Sequence, residues 1–332
     1  MINKIDTFCQ VKFLELFFDS IPEISLSEII SGNDVSKTFL DMSNLIYKKT
    51  ILSVDDIEYI IMMAKKGHPF FKKLIKSSNS GGSEIKDYST SFKDLLSNIE
   101  FACSTPVYSL HMYFDTNAVL IKSRNGWFTV LPMNWSSSLL DLSVNKTFKV
   151  DKKSDLNQFS GWHILKEINL PLNAAVIVDN YILDKSDNYE NNIYMIIKNL
   201  LPNRLDHLDF DLSIVTKRDL INPKGKLNLL NSLIKNLQLN YSVKLTIYCT
   251  PSDNPHDRDL VTNYYRVHSG HSLDYFNNKG QINKDTTLQI VGLNGEDNNP
   301  HKLILKNIAN VTSKGKLNFD MYGIGKNRLL NF

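Results

Sequence analysis

Cysteine is scarce: three in 332 residues, Cys9, Cys103 and Cys249. They are odd in number and far apart, which excludes a disulfide framework and a C-x-x-C metal ribbon and fits the reduced thiols of a cytoplasmic protein. Long hydrophobic runs are missing too. No stretch approaches the roughly 20 apolar residues of a membrane-crossing helix, so no membrane span is expected. The opening Met1–Asp6 carries an acid early and lacks the apolar core of a signal peptide. Charge of one sign is also absent, with 38 Lys and Arg against 35 Asp and Glu and a formal net charge of +3. A polyanionic partner must then be met by a local patch and not by the field of the whole chain. There is no P-loop, no G-x-G-x-x-G, no Ser-His-Asp order and no zinc-ligand spacing, so neither a cofactor nor a metal is expected.

What is present is enough chain for two domains and a sizeable core. Residues 1–76 read as a helical N-terminal region, with Phe8, Val11, Phe13, Leu14, Phe17, Phe18 and Ile21 at helical spacing. The aromatic cluster Phe13, Phe17 and Phe18 is either the core of a helical bundle or a surface for a protein partner. Residues 77–90 contain Ser77-Ser78-Asn79-Ser80-Gly81-Gly82-Ser83, the composition of a linker. Residues 91–170 read as a small antiparallel β region, strands at 107–114 and 118–121, with Asn125-Gly126 as a hairpin signal. His111 in the first of these strands reads as structural.

From 171 to 332 strands and helices alternate, the pattern of an α/β domain with a mostly parallel sheet. Strands are expected at 174–178, 210–215, 243–249 and 286–291, and helices at 191–200 and 226–237. Ligands in such sheets gather beyond the carboxyl ends of the strands. Asp179, Lys217, Arg218 and His256 all fall just past such ends.

The stretch after the third strand, His256–Asp274, reads HDRDLVTNYYRVHSGHSLD. It holds His256, Arg258 and Asn263 as H-x-R-x-x-x-x-N, followed by Gly270-His271-Ser272. A histidine and a guanidinium two residues apart on an extended chain share a face and can hold a phosphate. His268 and His271 add two titratable groups, either of which can carry a proton to a leaving group.

This stretch resembles the H-x-K-x-x-x-x-D motif of the phospholipase D superfamily, with Arg258 at the lysine position and Asn263 at the aspartate position. The resemblance covers roughly residues 170–295. It implies an α/β fold and metal-independent phosphodiester chemistry through a phosphohistidine. On that basis His256 is the expected nucleophile, Arg258 the phosphate clamp, Asn263 the group orienting His256 and His271 a proton carrier. Ser272, Asp179, Lys217 and Arg218 are the expected substrate contacts. One motif copy per chain implies a homodimer. The substitutions at Arg258 and Asn263 leave a second reading, similar to the phospholipase D-like domains of MIT-domain proteins: a catalytically weak module that binds nucleic acid or a protein, with bacterial defence as a setting. A nuclease is the first expectation.

Overall fold

The computed structural model describes residues 4–19, 34–89, 92, 94, 98–153, 158–185, 188–251, 258–293, 300–312, 319–325 and 327–331. His256 lies outside them. The chain is mixed α/β and divides into two compact units, residues 1–141 and 142–332. No helix among the described residues is long and apolar enough to cross a membrane.

The first unit is built on a parallel sheet of five strands in the order β3-β2-β1-β4-β5. β1 (Ile5–Cys9) buries every second residue, and β2 (Thr50–Val54) does the same beside it. The helix Val11–Asp19 follows β1 and buries Val11, Phe13, Leu14, Phe17 and Phe18. The aromatic cluster is therefore core, but core of an α/β unit. The expected all-helical region fails because two five-residue strands lie among helices of stronger apolar periodicity. In the expected linker, Gly81 takes φ +83° and a side chain on Gly82 would meet the Tyr47 carbonyl oxygen at 2.6 Å. Those glycines make a packed turn leading to β3 (Glu84–Asp87).

The expected antiparallel region is also corrected. β4 (Leu110–Met112) and β5 (Phe128–Val130) are parallel and joined by the helix Thr116–Ser123. Asp115 starts that helix by accepting the backbone N–H of Asn117 and Ala118, both at 2.9 Å. A helix-capping acid outweighs the β-leaning composition of Ala118–Ile121. Gly126 ends the connection at φ +79° instead of turning a hairpin.

The second unit carries an eight-stranded sheet in the order β13-β9-β8-β7-β10-β11-β12-β6. It is parallel only across β9 (Val243–Thr250), β8 (Phe210–Lys217) and β7 (Ala174–Val178). β6 (Asn145–Val150), β10 (Asp259–Thr262), β11 (Tyr265–Ser269), β12 (Thr286–Gly292) and β13 (Asp320–Gly323) all pair antiparallel. The sheet is mixed, not mostly parallel, because the motif stretch folds into a hairpin and takes the neighbouring strands with it. β7 is fully buried along AAVIV, as its continuous apolar run requires. Helices Ile193–Leu200 and Pro223–Lys235 stand where their periodicity placed them. Arg328 closes the amino edge: its Nε donates to Asp211 Oδ2 at 2.7 Å and its Nη2 to the Asn173 carbonyl at 3.1 Å.

In the first unit Lys122 is wholly buried, its ammonium 2.7 Å from Thr105 Oγ1 and 4.5 Å from the centre of the Trp127 ring. Burial pushes its pKa down to about 7. The unfolded chain then holds a proton that the folded chain releases between pH 7 and 10.5, so folding gains stability as pH rises through that window. Lys122→Met should flatten the rise, by up to about 1.4 kcal/mol per pH unit, in urea unfolding of both proteins at pH 7 and 9. Equal pH slopes for the two proteins would show that the ammonium is not desolvated.

Candidate site at the carboxyl edge of the mixed sheet

Period-two alternation decides what the hairpin presents. β10 runs antiparallel to β7 and β11 antiparallel to β10, so the start of β10 and the end of β11 reach the edge where β7 ends. Asp259 lies opposite Val178 on one side and opposite His268 on the other. Directly opposed residues share a sheet face, and their side chains meet. His268 donates its Nδ1–H to Asp259 Oδ1 at 2.9 Å. Arg266, two residues earlier and on the same face, brings Nη1 to 3.6 Å from the same oxygen. Asp259 is 1% exposed, and among the described residues its other carboxylate oxygen, Oδ2, is buried and meets no hydrogen-bond partner. A buried carboxylate beside a half-exposed imidazole and a guanidinium is costly to maintain as structure alone, since each charge loses hydration.

Asn263 has a different task from the one expected. It is wholly buried in the turn between β10 and β11. Its Oδ1 accepts the backbone N–H of Asn173 and of Ala174, each at 3.0 Å, and its amide donates to Asn173 Oδ1 at 2.8 Å. It therefore clamps the hairpin tip onto the entry of β7. Arg258 stands at the other end of β10, five residues or roughly 16 Å of extended chain away. The structure does not bring the two together. Alternation also sends Arg258 and Asp259 in opposite directions from the strand. The His301 imidazole supports the same tip by donating Nε2–H to the Thr262 carbonyl at 2.7 Å. Burial pushes the His301 pKa down to about 4, which keeps the ring neutral.

Asp179 and Ser272 do come together, on each other. Asp179 Oδ2 accepts Ser272 Oγ–H at 2.9 Å and the Leu273 N–H at 2.6 Å, while Oδ1 accepts the Tyr181 N–H at 2.8 Å. Burial holds the Asp179 carboxyl above its usual range, and these three donors offset only part of that rise. Asp179 thus ties the 270–275 loop to the end of β7. Tyr275 extends the tie, its hydroxyl 2.6 Å from Ser269 Oγ and its ring stacked on Trp162. Gly270 permits the path, because a Cβ there would meet Thr286 Oγ1 at 2.9 Å. His271 is exposed at the loop tip. Lys217 is engaged 2.7 Å from Asp184 Oδ2 and lies over the Tyr181 ring, and Arg218 is exposed in the following turn.

Residue reasoning from the sequence missed Asp259 and Arg266. Their signal was there: in extended chain, R266-V-H268 puts a guanidinium and an imidazole on one face. The anchor sought for a histidine was Asn263, whereas the carboxylate lies four residues earlier. No protein-family model matches the chain, and a search of curated proteins returns no match. The geometry alone defines an α/β protein with a histidine–carboxylate pair at the carboxyl edge of a mixed sheet.

Asn263→Ala should cost about 2–4 kcal/mol in denaturant unfolding, since two buried N–H groups lose their acceptor. Asn263→Asp keeps both acceptors, loses the donation to Asn173 and should be milder. Unchanged stability in the alanine variant would remove the clamp.

Proposed function

We propose that the second unit cleaves phosphodiesters, most simply those of nucleic acid, through a histidine nucleophile and without a metal. The observation that supports this is the Asp259–His268 pair, with Oδ1 holding Nδ1 at 2.9 Å and Arg266 beside it. A carboxylate on Nδ1 fixes the tautomer and stabilises the imidazolium, so Nε2 is the atom that attacks phosphorus. The resemblance to the phospholipase D superfamily supplies the reaction class, and the pair moves the working histidine from His256 to His268. Nε2 attack forms an N–P bond and expels the alkoxide of the leaving strand, which takes a proton from a second histidine. Water then hydrolyses the phosphohistidine and regenerates the imidazole. Arg266, on the same face, balances the phosphate charge. A homodimer that faces two such edges supplies the second histidine and belongs to the same proposal.

One observation favours a second reading. Asn263, at the position where the family carries its catalytic aspartate, holds backbone N–H groups of β7. A domain that has given that position to structure can keep a phosphate site and lose turnover. It then binds nucleic acid through Arg258 and its neighbours.

The test incubates purified protein with single- and double-stranded DNA and RNA in EDTA. Cleavage should persist, fall by at least about 10³-fold in His268→Ala and change little in His271→Ala. Cleavage lost in His256→Ala but retained in His268→Ala would return the centre to His256. No cleavage, together with binding that weakens in Arg258→Ala and with added salt, would establish the second reading.

A further inference from the structure

The strand order of the five-stranded sheet reverses between β1 and β4: β2 and β3 lie on one side of β1, β4 and β5 on the other. In open parallel sheets ligands bind beyond the carboxyl ends of the strands at this reversal. A cavity of about 700 Å³ opens there, lined by Leu16 of the helix after β1, Phe114, Asp115 and Thr116 after β4, and Leu131, Pro132 and Met133 after β5. That volume lies within the range of small-molecule sites, and the lining is mostly apolar with few polar groups, as such sites are.

Two linings stay uncovered in the folded unit. Met133 is 85% exposed and Phe114 is 51% exposed. A ring and a thioether facing one space favour an aromatic guest, by offset stacking and sulfur–aromatic contact. Among the described residues of the lining, Asp115 is the one that carries a charge. Its Oδ1 accepts the two N–H groups that cap the helix Thr116–Ser123. A carboxylate has a second oxygen with acceptor capacity, here Oδ2. The wall is held from behind, since Gln10 Oε1 accepts the N–H groups of Phe114 and Asp115 at 2.7 and 2.8 Å. The crevice is thus built before any guest arrives.

We infer that this crevice binds a small aromatic molecule carrying a protonated amine, its ring between Phe114 and Met133 and its ammonium on Asp115. The site belongs to the first unit and does not rest on the phosphodiester reading of the second.

Tryptamine, indole and indole-3-acetate present one ring with positive, zero and negative charge. Ligand-observed NMR and calorimetric titration of the full chain should rank them in that order, tryptamine exceeding indole-3-acetate by about fivefold or more. Asp115→Asn preserves the helix cap, because Asn caps as well as Asp. It should bring tryptamine down to the affinity of indole. Met133→Ser, at an exposed position, should weaken all three. Tryptamine binding that ignores both substitutions, indole-3-acetate binding as well as tryptamine, or no binding at millimolar concentration would each overturn the inference. Thermal unfolding of each variant confirms that the fold is retained.

Discussion

The second unit depends on one polar clamp. Asn263 receives the N–H groups of Asn173 and Ala174 where β7 begins, and so sets the register of β10 against it. In a sheet the side-chain period is two, so a slip of one residue would turn every side chain of β10 to the other face. With the register as it is, Asp259 falls opposite Val178 and opposite His268. Moved by one against β7, the hairpin would carry the carboxylate and the imidazole together to the other face of the sheet. The residue that the motif presented as a catalytic partner acts one step earlier. It places the catalytic candidates and does not touch them.

From that clamp the organisation of the edge follows. The hairpin tip is held by Asn263, by His301 on the Thr262 carbonyl, by the Leu293 N–H on the Tyr264 carbonyl at 2.7 Å, and by Thr262 Oγ1 donating to the Tyr265 carbonyl at 2.9 Å. Its far end carries Asp259 and His268, and the adjoining loop is tied back through Ser272 and Asp179. The supporting contacts are buried, while the His268 side chain is 41% exposed. A rigid base under an accessible imidazole is the arrangement a histidine nucleophile requires. The opposite edge is closed by Arg328 and Asp211, so the two ends of the sheet are held by different means.

How much of this was legible depended on what each signal encodes. Buried strands such as Ala174–Val178 and Val243–Thr250 carry their burial in composition, and helices such as Ile193–Leu200 carry theirs in period. These read correctly. Ile5–Cys9 and Thr50–Val54 did not, because five alternating residues beside a long apolar helix are outvoted in any window. Ala118–Ile121 misread because the decisive contact, Asp115 on two N–H groups, is a capping interaction and not a propensity. At the site, the edge was legible and the partners were not. Asp179 and Ser272 were both picked out, yet they meet each other. Asp259 was passed over because its pairing with His268 exists only across strands.

The central claim is that Asp259 and His268 act as one unit. A double-mutant cycle on phosphodiester cleavage measures that directly. If Asp259 works only by holding Nδ1 of His268, then Asp259→Asn should lower the rate strongly in the wild-type background and by less than about twofold in His268→Ala. Equal losses in both backgrounds would mean that the two residues act independently, and the pair would not be the catalytic centre.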